Sequence, residues 1–182
     1  MSGHSKWAQI KHKKALTDSK KGKIFSKLSR FITIAAKELG PDPKINYKLA
    51  SAIEDAKAAN MPQDNIARAM DRAKEKDASE LKEVLYEVYG PAGSALIITA
   101  VTDNSNRTVN EIKKILTDHG AKLGEHGSAM WAFDRRSFSE GGYIPKFPMA
   151  LSDEDNKKLE DLLSALDDQD DVQEVYTNAE TP

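Results

Sequence analysis

Between Lys20 and Leu39 the apolar side chains fall at positions 24, 25, 28, 31, 32, 35, 36 and 39. That three- and four-residue spacing predicts a helix with one buried face. It points Ile24, Leu28, Phe31, Ile32, Ala35 and Leu39 inward and leaves the lysines on the other side. Gly40-Pro41 ends the helix, because glycine accepts a left-handed cap and proline cannot continue the hydrogen-bond ladder. Asn46 is the predicted N-cap of a second helix, with Leu49, Ile53 and Ala56 on one stripe. Pro62 is suited to open a third, with Ile66, Ala69, Met70 and Ala73 facing inward. Connections this short make neighbouring helices antiparallel, so the pattern reads as a small helical bundle.

The period then changes. Residues 74–81 are polar, and the domain boundary is predicted there, giving domains 1–77 and 78–182. Val84, Tyr86 and Val88 alternate with Leu85, Glu87 and Tyr89, as in a half-buried strand. Gly90-Pro91-Ala92-Gly93 is a turn, and 94–102 is a second, more buried strand, so the pair is predicted to form a hairpin. A helix follows from the polar run Asp103-Asn104-Ser105-Asn106, marked by Val109, Ile112 and Leu116 and closed by His119-Gly120. Residues 130–133 read as a strand and 149–151 as a short one. Residues 153–166 read as a helix with Leu159, Leu162, Leu163 and Leu166 inward, and 172–176 as the last strand. The predicted class is α+β: an antiparallel helical bundle followed by a compact split β-α-β, ferredoxin-like sandwich with its helices on one face. Residues 78–136 supply its first ββαβ part and residues 143–182 a reduced βαβ part.

Charge sharpens this division. Residues 1–76 carry 17 Lys/Arg against 8 Asp/Glu, a balance of +9, and residues 77–182 carry 10 against 21, a balance of −11. Within residues 1–30 there are nine cationic side chains and one acid, Asp18. A net charge of −2 therefore conceals a basic head on an acidic body, the arrangement of a polyanion-facing module joined to a part with another task. There is no cysteine, which excludes disulfides, thiolate zinc sites and cysteine nucleophiles. The longest strongly apolar stretch, 95–101, falls far short of the ~20 residues that span a bilayer. No apolar segment follows the basic N-terminus, so no secretory signal and no membrane partner are expected.

The candidate chemistry is phosphate contact. From Lys6-Trp7 through Lys11-His12-Lys13-Lys14 to Lys20, Lys21 and Lys23, continuing to Lys27 and Arg30, cations alternate with an aromatic ring and an imidazole. Lysines release counterions when they meet phosphates, and Trp7 can stack on an unpaired base or wedge into a groove. No fork of Arg or Asn is laid out for base edges, so affinity with little sequence preference is expected. The alternative is a solvated basic arm that packs only Trp7 and Ile10. Arg107 stands near a helix start, against the dipole, which implies a partner: Asp103 or an external phosphate. The four histidines form no recognised catalytic pattern. His119 reads as a helix cap and His126 as part of a turn, although a metal site with Glu125 is conceivable. Asp167-Asp168 and Asp170-Asp171 read as a solvated loop rather than a cation site. No enzyme activity, cofactor, metal or small-molecule substrate is expected, and the oligomeric state is left open. A protein–protein adaptor is the rival class.

The chain resembles the YebC/PmpR family. The similarity is carried by M-S-G-H-S-K-W-A-Q-I-K-H-K-K at the start, G-K-I-F-S-K-L, I-A-A-K at 34–37, G-P-D-P at 40–43 and A-A-N-M-P at 58–62. It continues through Y-G-P-A-G at 89–93, T-D-N-S-N-R-T-V at 102–109 and D-D-V-Q-E-V-Y-T-N-A-E at 170–180. The resemblance implies a helical N-terminal domain followed by two α/β domains, a cytoplasmic or mitochondrial location, of which the cytoplasm is expected here, and a nucleic-acid-binding regulator. It implies either a transcriptional regulator on DNA or a factor acting on ribosomal RNA to relieve stalling at proline runs. The family's basic positions match here at Lys6, Lys11, His12, Lys13, Lys14, Lys20, Lys21 and Lys23. Family members run several dozen residues longer after the strand that ends near Phe133-Asp134-Arg135-Arg136. Here 137–147 reads as a short glycine-containing bridge, so most of the third domain is expected to be missing.

Overall fold

The computed structural model describes residues 18–136 and 142–180, and the chain divides into two units. The first comprises the described residues up to Glu83 with Val101–Asn104. The second comprises Val84–Ala100 and the described residues from Ser105 onward.

The helical unit consists of α1 (Asp18–Leu39), α2 (Tyr47–Ala58) and α3 (Gln63–Arg72), followed by a 3-10 turn at Lys76–Ser79. Both shorter helices pack on α1. Asn46 explains the turn between α1 and α2. Its Oδ1 accepts the Leu49 N–H at 3.0 Å, and its Nδ2 donates to the Ala35 and Gly40 carbonyls at 2.8 and 2.7 Å. One fully buried amide thus caps α2 and satisfies carbonyls at the end of α1. The Thr33 hydroxyl lies 2.8 Å from the Ala69 carbonyl and ties α1 to α3. Leu49, Ala52, Ala56, Ile66 and Ala69 form the inward stripes. Two details differ from the sequence expectation. Phe31 to Ala36 are buried on every side of α1, whereas Leu39, expected inward, is 62% exposed beyond the last packed turn. Pro62 stands just before α3 as its cap residue, with φ −59° and ψ 142°, rather than as its first helical residue.

The α/β unit is built from β1 (Lys82–Tyr89) and β2 (Ala95–Thr102), apart from the first two residues of β1 and the last two of β2, with α4 (Ser105–Asp118), β3 (Lys122–Leu123), β4 (Phe133–Arg135), β5 (Tyr143–Pro145), α5 (Asp153–Asp167) and β6 (Val172–Thr177). The main sheet has the order β3-β1-β2-β6, with β3 antiparallel to β1 and β6 antiparallel to β2. The split β-α-β unit is β2–α4–β3, whose strands straddle β1. Alternation along β2 divides the core. Leu96 and Ile98 join Val88, Val172 and Val175 under α4 and α5, packed against Ile112, Leu116 and the four leucines Leu159, Leu162, Leu163 and Leu166. Ala95 and Ile97 face the opposite way, with Tyr176, and are covered by Ala129, Ala132, Phe133 and Tyr143. A central strand apolar on both faces needs a layer on each side. Here the helices supply one and the β4–β5 segment the other.

That second layer is where the sequence reading needs correction. Of the strand expected at 130–133 only Phe133 is extended: Met130–Ala132 form a 3-10 turn and the strand is Phe133–Arg135. The bridge expected over 137–147 contains β5, which pairs antiparallel with β4. The short strand expected at 149–151 is a single bridge from Met149 to Ala179. On α4 the innermost first-turn residue is Thr108 rather than Val109, because its hydroxyl has a buried partner.

Candidate nucleic-acid interface

Lys6, Trp7, Lys11, His12, Lys13 and Lys14 lie outside the described residues. The described part of the basic segment is the start of α1. Lys20, Lys23, Lys27 and Arg30 follow one another at spacings of three, four and three, which places them along one side of the helix. Lys20, Lys21 and Lys23 are exposed and Arg30 is half-buried. Lys27 departs from its expected role: it is only 8% exposed, so its stem belongs to the packed part of α1. Within this segment the exposed cations lie in the first turns, ahead of the part buried on all sides. Further along the unit Lys44, Lys57, Arg68 and Arg72 are exposed as well, whereas Lys48 and Lys74 meet carboxylates. Lys48 lies 2.8 Å from Glu38 and 2.7 Å from Glu83; burial lowers its basicity, but the two carboxylates outweigh this and raise it.

Arg107 has a partner that the sequence did not suggest. Its Nη2 lies 2.9 Å from Oδ2 of Asp171, and the same oxygen accepts the Thr108 hydroxyl at 2.7 Å. Asp171, expected in a solvated loop, is 1% exposed. It ties the start of α4 to the start of β6. Arg107 is thus placed by the architecture of the α/β unit. His119 keeps its capping position, with Nδ1 2.8 Å from the Ile115 carbonyl. Among the described residues no group of three or more His, Cys, Asp or Glu side chains is placed to hold a metal.

Two features escaped the sequence pattern. Glu87 sits at an outward position of β1, yet it is 3% exposed. Its carboxylate accepts the N–H groups of Gly127, Ala129 and Met130 at 2.6, 2.7 and 2.7 Å. Burial pushes its pKa up, but the three N–H groups and nearby His126 together hold it below the usual glutamate value. The loop so fixed carries the second feature, a group of exposed rings. Tyr89 and Trp131 both donate to the Ser128 carbonyl, at 2.7 and 2.8 Å, and Trp131 lies 5.6 Å from Phe147, centroid to centroid. Residues 16 apart in sequence give no periodic signal. Only the β4–β5 pairing brings Trp131 and Phe147 together.

Comparison with known proteins supplies the lineage. A family model described as the TACO1/YebC protein N-terminal domain matches residues 5–76. Another, described as the TACO1/YebC second and third domain, matches residues 81–140 and 136–179. A protein from Caldanaerobacter subterraneus subsp. tengcongensis, named a probable transcriptional regulatory protein, is 41% identical over 239 positions, covering 99% of this chain and 98% of the relative. A protein of the same name from Lacticaseibacillus casei is 44% identical over 182 residues, covering 98% of this chain and 73% of the relative. The crystal structure of a conserved hypothetical protein from Aquifex aeolicus matches with a TM-score of 0.84 at 34% identity, covering 98% of each chain. An alignment of 239 positions against 182 residues leaves at least 57 positions of the first relative without a counterpart here. The second family match breaks and resumes at 136–140, between β4 and β5. The chain, shortened at that point, belongs to the TACO1/YebC family.

Proposed function

We propose that the protein is a nucleic-acid-binding regulator of gene expression, a DNA-binding transcriptional regulator whose basic domain 1–77 lies against phosphates while the acidic domain 78–182 stays off them. The observation that carries this reading is the placement of charge. Nine cations stand against one acid in the first 30 residues, and of these Lys20, Lys21 and Lys23 are exposed on the first turns of α1. The relatives' name, probable transcriptional regulatory protein, supports regulation as the purpose of the contact. The cytoplasm is the compartment that fits this role.

A second reading, binding to structured RNA on the ribosome as a translation factor, is favoured by the shape of α1. Its second half, Phe31 to Ala36, is closed on every side, so only the first turns are open to a groove, and they present lysines rather than the Arg or Asn forks that read base edges. Lysine-rich phosphate contact without base readout suits A-form RNA, which is recognised largely through its backbone.

The test is a salt series of affinities for duplex DNA, hairpin RNA and ribosomes, comparing the wild type with Lys20/Lys21/Lys23→Ala. If three phosphate contacts are lost, the slope of log affinity against log salt falls by roughly 2–3 units. An unchanged slope sinks the phosphate reading. A preference for ribosomes above about a hundredfold, about 2.7 kcal/mol, selects translation over transcription.

A further inference from the structure

Three ring faces lie exposed on the otherwise acidic α/β unit. Trp131 and Phe147 are each 56% exposed and Tyr89 is 40% exposed. Scattered apolar surface is ordinary, but a cluster of large rings marks a contact surface. These rings are also held in place. The indole N–H of Trp131 and the hydroxyl of Tyr89 both donate to the carbonyl of Ser128. The residues flanking that carbonyl are themselves fixed, since Gly127, Ala129 and Met130 donate to Glu87. The polar tips are consumed inward and the apolar faces point out, so little side-chain freedom remains to be lost on binding.

The charge around the rings runs against that of the unit. Residues 77–182 hold 10 Lys/Arg against 21 Asp/Glu, yet two of those ten stand beside these rings. Lys146 Nζ lies 6.0 Å from the Phe147 ring centroid, and also 3.9 Å from Asp134. Lys122 stands opposite Tyr89 in the β1–β3 register. Fixed ring faces with cations beside them match a ligand that offers flat apolar faces at intervals along an anionic chain.

We infer that Trp131, Phe147 and Tyr89 form a stacking platform for unpaired bases of a single-stranded nucleic acid, with Lys146 and Lys122 meeting the adjoining phosphates. Each base presents a π face, so the platform tolerates sequence but requires bases free of a duplex. It belongs to the α/β unit and stands independently of α1, whose lysines meet any phosphate chain. The two together distinguish a strand with open bases from a closed duplex.

The test uses the full chain carrying Trp7→Phe, which leaves Trp131 as the only tryptophan of the two. An eight-nucleotide oligo(U), the corresponding oligo(dT) and a duplex of the same length are titrated at fixed low salt. Both single strands are expected to quench Trp131 emission and the duplex to leave it unchanged. Adding Trp131→Ala, with binding read by anisotropy of a labelled strand, should weaken single-strand affinity by about 5- to 150-fold, the range for one lost base stack. Phe147→Ala should act in the same direction. Lys20/Lys21/Lys23→Ala should lower affinity for duplex and single strand alike while preserving the factor lost with Trp131→Ala, which separates this site from the helical one. The exposed positions of Trp131 and Phe147 keep the fold out of question, and far-UV circular dichroism checks it. Single-strand affinity within twofold of the Trp7→Phe parent after Trp131→Ala overturns the inference, and so does equal quenching by the duplex. Self-association abolished by Trp131→Ala, with oligonucleotide binding unchanged, overturns it in favour of a second copy of the chain.

Discussion

Replacing Glu87 by Gln keeps the shape of the side chain and removes its charge, so it isolates what the buried carboxylate does. Oε1 accepts Gly127 N–H, and Oε2 accepts both Ala129 and Met130 N–H. A glutamine has one oxygen and one NH2 group. Its best orientation keeps the oxygen on Ala129 and Met130 and turns the NH2 against the Gly127 N–H, donor to donor. One hydrogen bond to a charged group is lost, worth about 1.5–3 kcal/mol, and the two that remain become weaker neutral ones. Gly127 is exposed and can turn to water, which limits the penalty for its orphaned N–H. The net expectation is a loss of about 2–3 kcal/mol at neutral pH. His126, 3.5 Å away but almost fully exposed, contributes little to this figure.

The pH dependence fixes the sign. The folded pKa of Glu87 lies below its ordinary value of 4.5, so the unfolded chain binds the proton more readily. The carboxylate's contribution is therefore complete above about pH 4.5 and fades as pH falls through the lowered folded pKa. Urea unfolding followed by Trp131 emission in the Trp7→Phe background should show a wild-type-to-Gln gap at pH 7 that narrows at pH 3. Amide exchange at Ala129 and Met130 should accelerate in the variant. Equal midpoints at pH 7, or a gap of the same size at both pH values, refutes the assignment of Glu87 as the anchor of this loop.

Two further substitutions probe the polar anchors of each unit. Asn46→Ala removes the cap of α2 and strands the Ala35 and Gly40 carbonyls, with an expected cost of about 2–4 kcal/mol in denaturant midpoints; a loss below about 0.5 kcal/mol, the level of an ordinary surface change, shows that the amide is dispensable. Asp171→Ala removes the shared acceptor of Arg107 and Thr108. A broken buried pair costs 3–5 kcal/mol, but the Arg107 side chain is 42% exposed, so about 2 kcal/mol is expected, and thermal melting at moderate and high salt should show the loss at both.

The bundle and the sandwich were legible in the sequence wherever burial follows a period. Leu49, Ile66, Ile112 and the leucines of α5 occupy the positions that their spacing demands, and all are buried. The failures have physical causes. Leu39 continues the apolar period of α1 beyond the last residue that has a neighbour to cover it. Residues 130–133 resemble a strand because small and apolar residues also suit a turn lying on a sheet. Glu87 has the alternation of a solvent-facing side chain, and only the backbone donors of residues 127–130, forty positions on, make its burial favourable. The basic head was legible as charge, but the sequence did not distinguish Lys27, whose stem is buried, from Lys20 and Lys23. Arg107 correctly demanded a partner, and one of its partners, Asp171, is 64 residues away.

The point at which this chain is shorter than its relatives explains why the rest of the α/β unit stays closed. Beta strands 4 and 5 pair Phe133 with Pro145, Asp134 with Ile144 and Arg135 with Tyr143, and Arg136 N–H donates to the Gly142 carbonyl at 2.7 Å. The two ends that flank the missing positions are thus one hydrogen bond apart. Loop closure between such ends costs little, about 0.6 kcal/mol per doubling of length, so connections of very different length are compatible with the same strand pairing. Gly142 helps to set this junction: its φ is +72°, and a Cβ there would meet the Tyr176 hydroxyl at 2.5 Å. The inner face of the hairpin, Phe133 and Tyr143, packs on Ile97 and Tyr176, and none of these residues lies in the missing stretch. Any activity that resides in the additional positions of the longer relatives is absent here. Any activity that the two lengths share must rest on the helical unit and this single sandwich, and nucleic-acid binding measured side by side on the short and long proteins separates the two.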